Sequence, residues 1–259
     1  MKYRGLDMKQ KRWIYGAIGV LVLLFAGLVY AWSVLASPIK VFFQDWSSTK
    51  LSFTFTLCMM FFCLGGLLNG LLSERISPKI TLKASAVLFI SGFFLASKAE
   101  SIIALYVGYG ILAGLASGLA YNSIMGNITK FFPDCPGLIS GVLLMGFGVG
   151  SFIIGKVYQI TTPSGEGIDA WRNSFVIFGV ILFVIIFVCS FFIRRPIEGE
   201  IREITKDIKE VNKVKKSETI DVEPAKMIRK SSFWIFFLWA TVLSAAGLAV
   251  VSQATGIAM

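Results

Sequence analysis

Residues 102–126 read IIALYVGYGILAGLASGLAYNSIMG, and this stretch contains no charged side chain. Its length suits the roughly 20 apolar residues that an α-helix needs to cross a bilayer. Further apolar runs of comparable length lie at residues 13–35, 51–72, 81–98, 137–158, 174–193 and 233–258. These runs do not alternate apolar and polar residues as the strands of a membrane barrel do. The sequence therefore predicts an all-α polytopic membrane protein whose surroundings are the lipid bilayer.

The overall composition supports the same class. Apolar residues make up 56% of the 259-residue chain, and in a soluble domain they would leave large apolar patches in water. The first run follows a basic segment and ends at Val34-Leu35-Ala36, which also resembles a signal-peptidase site. The apolar region of a signal peptide is usually about 7–15 residues long, and this run is longer. A transmembrane helix is therefore the favoured interpretation of the first run.

The distribution of basic residues predicts the orientation of the chain, which carries a formal net charge of +10. If the N-terminus is cytoplasmic, basic residues concentrate on the inside, chiefly in 1–12 and 194–232, and few lie outside. This arrangement obeys the positive-inside rule. The sequence thus predicts a multi-pass protein of the plasma (inner) membrane with a cytoplasmic N-terminus. Because topology explains the basic residues, nucleic acid is not an expected partner.

The residue types and their spacing give little support for a metal site or a catalytic site. The chain has four cysteines and no histidine, and no cluster of nitrogen, sulfur or oxygen ligands has the spacing of a metal site. No nucleophile–base pair or acidic dyad can be named either. We therefore expect no metal, no cofactor and no catalytic residue, and we do not expect an enzyme. The cysteines are interpreted as small packing residues.

The apolar runs predict four parts of the chain. Residues 1–12 form a cytoplasmic N-terminus, 13–193 a six-helix half, 194–232 a basic cytoplasmic linker, and 233–259 the first helix of a second half. In the linker, apolar residues recur at spacings of four and three: Ile197, Ile201, Ile204, Ile208 and Val211. This stripe is typical of an amphipathic helix that lies on the membrane or on the bundle. A solvated linker with some helix is the alternative.

A short phrase recurs along the chain. It reads GLVYAWS at residues 27–33, GLAYNSI at 118–124 and GLAVVSQ at 247–253. The three copies fall on the first, fourth and seventh runs, which are the first helices of successive three-helix units. Some transporters build each six-helix half from two inverted three-helix repeats, with the substrate site near the midplane between them. The phrase predicts this 3+3 organisation.

The loop after the second run carries charges at a tight turn. Gly70 is followed by Glu74 and Arg75, and Lys79 closes the loop. This pattern resembles the loop signature of the major facilitator superfamily of transporters, with Glu74 in place of the usual Asp and Ser77 in place of the usual Gly. Paired charges at the rim can bind neighbouring helix ends in one conformation and release them in another. The loop is therefore predicted to control conformational exchange.

A second segment narrows the resemblance. Residues 131–134 read FFPD, 137–141 read GLISG and 146–150 read GFGVG. Together with GLVYAWS on the first run and Trp171-Arg172 before the sixth, they resemble the oxalate/formate antiporter family within that superfamily. Cys135-Pro136 departs from this pattern, because the family usually has two basic residues there.

The resemblance implies that the first and fourth helices line a central cavity, so that Tyr30 and Tyr121 face the substrate. A tyrosine offers an apolar ring and a hydroxyl donor, which suit a small carboxylate such as formate, oxalate or lactate. The alternative is that both are packing or interfacial aromatics. Val29 and Phe147 stand where oxalate-exchanging members tend to have polar groups, which favours a monocarboxylate. Asn122 is expected to hydrogen-bond a neighbouring helix.

Glycines on the fourth and fifth runs predict close contacts between helices, because a residue without a side chain lets another helix approach. On both runs packing is the simplest role for them. The glycines are Gly110, Gly114 and Gly118 on the fourth run and Gly141, Gly146, Gly148 and Gly150 on the fifth.

No Asp, Glu, Lys or Arg lies at the centre of any run, yet a carrier of anions should need a cation at its site. The resemblance implies that this family keeps such cations on helices of the second half. We therefore expect an incomplete secondary carrier that works by alternating access and whose missing half, in the same chain or a separate one, is a partner. The alternative is a non-transporting membrane partner or sensor, or a remnant half-transporter.

The predicted orientation can be tested at the linker. A Ser217→Cys substitution should resist a membrane-impermeant thiol reagent in intact cells and react after lysis, because translocating the basic linker would violate the positive-inside rule. The unsubstituted chain shows the background from its own cysteines. Labelling of the new cysteine in intact cells would contradict a cytoplasmic linker.

Overall fold

The structure of the chain, a computed structural model, describes residues 8–162, 167–197, 199–201 and 224–252. Six segments are long and apolar enough to cross a membrane, and all are helical. They are Gln10–Phe42, Ser48–Leu72, Pro78–Ser97, Ile102–Phe131, Pro136–Thr161 and Ile168–Phe192. The predicted all-α membrane fold is thereby confirmed. Residues 204, 208 and 211 of the predicted linker stripe lie outside the described residues.

Two of the six spans are not continuous α-helices. The first consists of α1 (Met8–Ala26), a 3₁₀ segment (Gly27–Ala31) and α2 (Trp32–Phe42). The fourth consists of α5 (Ile102–Leu105), a π-helical segment (Tyr106–Ala113), α6 (Gly114–Ile128) and a closing 3₁₀ turn (Thr129–Phe131). These are the two spans on which the recurring Gly-Leu phrase first appears.

The remaining spans are single helices. They are α3 (Ser48–Leu72), α4 (Pro78–Ser97), α7 (Pro136–Thr161) and α8 (Ile168–Phe192). A short helix, α9 (Pro224–Met227), precedes α10 (Ser231–Ser252), which corresponds to the seventh apolar run. Proline opens both α4 and α7, where its fixed φ suits the first turn and its missing N–H costs no hydrogen bond.

The helix pairs follow the symmetry of an inverted repeat. The three most extensive contacts join α1 to α7, α3 to α6 and α4 to α8. Exchanging the first three spans with the last three converts the α1–α7 pair into the α6–α3 pair and maps the α4–α8 pair onto itself. The described bundle therefore has the pseudo-twofold arrangement expected of two three-helix repeats.

Glycines create the close approach in the first two of these pairs. A Cβ at Gly118 would collide with the backbone carbonyl of Phe62 on α3, and one at Gly150 would collide with that of Leu24 on α1. The predicted glycines Gly110, Gly114 and Gly146 also have a neighbouring helix close to the missing Cβ; the contacts are Leu57, Cys58 and Val20. These glycines lie where backbones approach most closely, as helix packing in membranes requires.

Gly141 and Gly148 differ from the other predicted packing glycines. A Cβ at either would meet no described atom within 4 Å. Both are exposed on α7, and Met145 and Phe152 on this helix are 61% and 75% exposed. The structure thus gives these two glycines no packing partner within its described residues, because their side of α7 faces away from the six-span bundle.

The close approach at Gly118 yields a test on the isolated chain. Gly118→Ala should lower the free energy of unfolding by about 1–3 kcal/mol, because the added methyl group forces α6 away from α3. Gly126→Ala is the matched control on the same helix, since a Cβ there meets nothing within 4 Å. The control should be neutral or slightly stabilising, as alanine favours helix over glycine.

Thermal unfolding of both variants in the same detergent gives the comparison. Equal stability of the two variants would contradict the packing role of Gly118.

Candidate functional site

Tyr30 lies in the 3₁₀ segment that interrupts the first span. The segment begins at Gly27, where an added Cβ would collide with the backbone carbonyl of Phe147 on α7. This contact places the backbone of the first span directly against α7 and brings the Tyr30 ring to within 5.3 Å of the Phe147 ring, measured between centroids. Tyr30 itself is half-buried.

Tyr121 reaches the same place from the fourth span. Its ring centroid lies 5.1 Å from that of Phe147 and 5.5 Å from that of Phe62 on α3. Phe55, also on α3, meets Tyr30 edge-on at 6.2 Å. We call these five rings, Tyr30, Phe55, Phe62, Tyr121 and Phe147, the central aromatic cluster. The structure therefore brings together the two tyrosines that the sequence placed on separate runs.

The hydroxyl groups distinguish the cluster tyrosines from the structural ones. Tyr109 and Tyr158 are fully buried and donate to the carbonyls of Val29 at 3.1 Å and Leu35 at 3.3 Å. Tyr30 and Tyr121 are half-buried, and their hydroxyls have no hydrogen-bond partner among the described residues. A pair of such donors beside apolar rings can bind the oxygens of a small ligand while the rings contact its carbon atoms.

The sequence also set expectations for two neighbours of the tyrosines, Val29 and Asn122. Val29 is fully buried and its carbonyl accepts a hydrogen bond from Tyr109, while Phe147 belongs to the cluster itself. Asn122 donates to the carbonyl of Gly118 one turn earlier on its own helix, at 3.2 Å, and this corrects the expected bond to a neighbouring helix. In any α-helix the carbonyl four residues earlier lies close to the side chain. The sequence does not indicate whether an asparagine bonds to that carbonyl or to a neighbouring helix.

The charged loop lies between α3 and α4, at the end of the bundle where α1 begins and α8 ends. We call this the basic end. Gly70, Glu74, Arg75 and Lys79 are all exposed there. Within the described residues, their side chains form no ion pair with one another. The predicted charge pattern is therefore present at the rim, but its side chains are not paired in this conformation.

An arginine that the sequence analysis did not single out binds this loop. Arg195, just after α8, donates to the backbone carbonyls of Ser73, Glu74 and Ile76, the last at 2.6 Å. A guanidinium group near a helix C-terminus satisfies carbonyls that have no partner within the helix. The end of α8 thus holds the end of α3 through main-chain atoms, and loop side-chain patterns give no signal of such a contact.

Two further arginines at the basic end hold carboxylates. Arg12 on α1 forms a two-bond ion pair with Asp134, at 2.5 and 2.9 Å. Arg194 does the same with Glu200, at 2.8 and 2.6 Å, and donates to the Tyr15 hydroxyl at 3.1 Å. Bidentate arginine–carboxylate pairs are among the stronger protein hydrogen bonds. They tie α1 to the α6–α7 loop and to the chain beyond α8.

These pairs shift the protonation of both carboxyl groups. The hydrogen bonds from Arg12 hold the pKa of Asp134 below its ordinary value, and those from Arg194 lower the pKa of Glu200. In each case the ionised carboxylate is the form that the guanidinium group stabilises. The FFPD phrase contains Asp134, so sequence resemblance pointed to the segment but not to its partner on α1.

Comparison with known proteins decides the family. A family model described as "Major Facilitator Superfamily" matches residues 12–258. The chain belongs to this superfamily of transporters. Three structural features agree with this membership: the six described spans, their pairwise packing and the charged loop at the rim.

Two of the relatives match nearly the whole of this superfamily member, and a third matches about half of it. An uncharacterized MFS-type transporter, YhjX of Escherichia coli, is 29% identical over 97% of the chain and 59% of its own length. The oxalate:formate antiporter of Oxalobacter formigenes is 27% identical over 90% of the chain and 52% of its own length. Mouse monocarboxylate transporter 12 is 30% identical over 53% of the chain. The chain spans somewhat more than half the length of the first two relatives.

A solved structure agrees on the fold. The inward-open xylose transporter XylE of Escherichia coli matches with a TM-score of 0.60 at 20% identity, over 77% of this chain and 55% of that one. At this identity the likeness concerns the fold alone. It confirms the major facilitator arrangement of the six-span half.

The Arg12–Asp134 pair predicts a pH dependence of stability. Since the folded pKa of Asp134 lies below its ordinary value of 3.8, the pair contributes fully at neutral pH and is lost as the pH falls through the folded pKa. Asp134→Asn should lower the free energy of unfolding by about 1–3 kcal/mol at pH 7. The loss should shrink as the pH approaches 3.

Thermal unfolding between pH 7 and pH 3 measures both effects. Glu100→Gln is the control, because Glu100 is an exposed acid at the opposite end of the bundle. A difference between Asp134→Asn and the unsubstituted chain that stays constant with pH would contradict the ion pair.

Proposed function

We propose that the chain is the first half of a secondary carrier of small organic anions that works by alternating access. The observation that carries this proposal is the convergence of the Tyr30 and Tyr121 rings on the ring of Phe147, at centroid distances of 5.3 and 5.1 Å. These residues come from the first, fourth and fifth spans of a major facilitator half. Among the relatives, the names oxalate:formate antiporter and monocarboxylate transporter support a carboxylate as the substrate.

The chemistry of the cluster suits a small carboxylate with some apolar surface. Two hydroxyls can donate to carboxylate oxygens, and Phe55, Phe62 and Phe147 supply ring faces and edges for carbon atoms. Phe147 lies between the tyrosines and offers no hydrogen bond to a second carboxylate. This favours formate or lactate over oxalate.

The cluster also needs a positive charge that these five residues do not supply. An anion that leaves water needs compensation by a cation or by several donors. We place this cation on the second half of the carrier, in the same chain or in a separate one. In support, α10 contacts α2 and the segment Gly27–Ala31, beside the cluster, while Trp239 and Val242 on α10 remain 62% and 70% exposed.

The basic end is proposed to face the cytoplasm of a bacterial-type inner or plasma membrane, in accordance with the positive-inside rule. In this orientation the α3–α4 loop lies on the cytoplasmic rim. Arg195 holds its carbonyls while Glu74, Arg75 and Lys79 remain exposed toward solvent. These side chains are therefore available to bind helix ends of the second half in one access state and release them in the other.

The tyrosines provide the test of the proposed site. In the complete two-half carrier, Tyr30→Phe or Tyr121→Phe removes a hydrogen bond to a charged carboxylate, worth about 1.5–3 kcal/mol. Substrate affinity should fall roughly tenfold to a hundredfold, since each 1.4 kcal/mol is about a factor of ten. Formate, lactate and oxalate are the ligands to compare, and substrate-dependent thermal stabilisation of the purified carrier measures the affinity.

Tyr106→Phe is the matched control. Its hydroxyl donates to the carbonyl of Lys50 at 3.0 Å, far along the same span from Tyr121. This variant should keep the affinity of the unsubstituted carrier. Unchanged affinity in both Tyr30→Phe and Tyr121→Phe would remove the tyrosines from the site.

A further inference from the structure

Two buried hydroxyls of the fourth span reach the backbone of the first span at its irregular segment. The Tyr109 hydroxyl donates to the carbonyl of Val29 at 3.1 Å. The Ser117 hydroxyl donates to the carbonyl of Ala26 at 2.9 Å. Both donors are fully buried. The two acceptors mark the 3₁₀ segment Gly27–Ala31: Ala26 immediately precedes it, and Val29 lies within it, next to Tyr30.

Backbone carbonyls are open to such bonds where one helix type changes into another. An α-helix pairs each carbonyl with the N–H four residues later, and a 3₁₀ helix pairs it with the N–H three residues later. The segment also ends irregularly, because Ala31, its last residue, has a ψ of 14°. In a membrane no water replaces the lost bond, so irregular backbone needs partners within the protein. Tyr109 and Ser117 supply two such partners, at the carbonyls of Val29 and Ala26.

The 3₁₀ conformation determines the direction of the Tyr30 side chain. An α-helix advances by about 100° per residue and a 3₁₀ helix by about 120°, so each residue of the segment adds roughly 20° of rotation. Tyr30 is the fourth residue of the segment. If the segment relaxed to α-helix, its ring would turn away from its present position beside Phe147. The rotation of Tyr30 therefore depends on whatever maintains the segment.

Tyr109 lies in an irregular segment of its own. It belongs to the π-helical stretch Tyr106–Ala113, and its ring contacts that of Trp32 at 4.5 Å. π-Helical turns often occur at functional sites. The two irregular segments occupy the corresponding spans of the two inverted repeats and are joined directly by the Tyr109–Val29 hydrogen bond.

We propose that Tyr109 and Ser117 are positioning residues that hold Gly27–Ala31 in its 3₁₀ form and thereby aim Tyr30 into the central aromatic cluster. The consequence for substrate binding rests on the proposed function. The effect on the backbone does not, since it concerns only contacts within the described half.

The backbone effect is tested by hydrogen–deuterium exchange of residues 24–33 in the 259-residue chain. Tyr109→Phe and Ser117→Ala each remove one hydroxyl and keep the rest of the side chain. Exchange should accelerate about threefold to tenfold in either variant, the size expected for one hydrogen bond.

Two matched controls share the chemistry but act elsewhere. Tyr158→Phe removes an equally buried hydroxyl that donates to Leu35, beyond the 3₁₀ segment. Ser85→Ala removes one that donates from α4 to Ala116 on α6. Neither should accelerate exchange in residues 24–33. Unchanged exchange in both Tyr109→Phe and Ser117→Ala, or equal acceleration in the controls, would overturn the proposal.

The link to Tyr30 is tested by a double-mutant cycle on substrate affinity in the complete carrier, with formate as the probe. Tyr109→Phe should weaken binding about threefold to tenfold, and it should have no further effect in a Tyr30→Phe background, because both changes remove the same contact. An undiminished effect in that background would show that Tyr109 acts on binding by another route and would overturn its positioning role.

The exchange experiment and the affinity experiment together distinguish a failure of this proposal from a failure of the proposed function. If Tyr30→Phe alone leaves affinity unchanged, the substrate site is wrong, and the exchange experiment still decides whether Tyr109 and Ser117 hold the segment. Melting temperatures are recorded for every variant, because a purely structural role would lower them without changing affinity.

Discussion

Every backbone N–H and C=O group within the six spans has to find a hydrogen-bond partner without help from water. Continuous α-helix is the simplest way to meet this constraint, and α3, α4, α7 and α8 follow it throughout. The first and fourth spans do not. Their 3₁₀ and π-helical segments are tolerated because they are buried in the bundle, where side chains such as Tyr109 and Ser117 supply hydrogen bonds that lipid would not. The 3₁₀ segment Gly27–Ala31 therefore lies where buried side chains of the fourth span can bond to the carbonyls of the first.

The same constraint explains how closely the helices pack. Lipid is as apolar as the side chains it surrounds, so helices associate through close contact and interhelical hydrogen bonds. Gly118 against Phe62 and Gly150 against Leu24 bring main chains together in the α3–α6 and α1–α7 pairs. These pairs exchange under the pseudo-twofold symmetry of the repeat. Each of the two symmetry-related pairs thus has a glycine at its closest approach. The central aromatic cluster lies between the pairs, and its rings come from the first span, α3, α6 and α7.

The basic end of the bundle and its central aromatic cluster differ in charge. At the basic end, Arg12, Arg194 and Arg195 bind carboxylates or backbone carbonyls and fasten helix ends to one another. The central aromatic cluster contains no charged residue and offers hydroxyls and rings instead. The described half thus has ion pairs at its basic end and a neutral aromatic centre. In the proposed carrier, such a centre would orient a small anion, and the compensating charge would come from the second half that faces the cluster.

The amino-acid sequence by itself determined the class, the spans and the family of this protein. Hydropathy and length are local properties, and the long apolar runs admit only helices, so the six-span half followed directly. The Gly-Leu phrases identified the first and fourth spans as equivalent, and resemblance selected Tyr30 and Tyr121. Which side chains meet was a different question. Asn122, Gly141 and Gly148 show how far periodicity falls short, since a helix presents several faces and the sequence does not name the partner of each.

Only the tertiary structure decided that both tyrosines contact Phe147, that the Val29 carbonyl accepts from Tyr109, and that Arg195 holds the α3–α4 loop through its carbonyls. Each of these contacts depends on helix rotation. The rotation of a helix is set by all of its packing contacts at once. In the first span it is also set by a 3₁₀ segment that the local sequence pattern does not predict. A residue's neighbours in the chain determine that it is helical and membrane-embedded. Its neighbours in space determine what its side chain can do, and some of them lie more than a hundred positions away in the chain, as Asp134 does from Arg12.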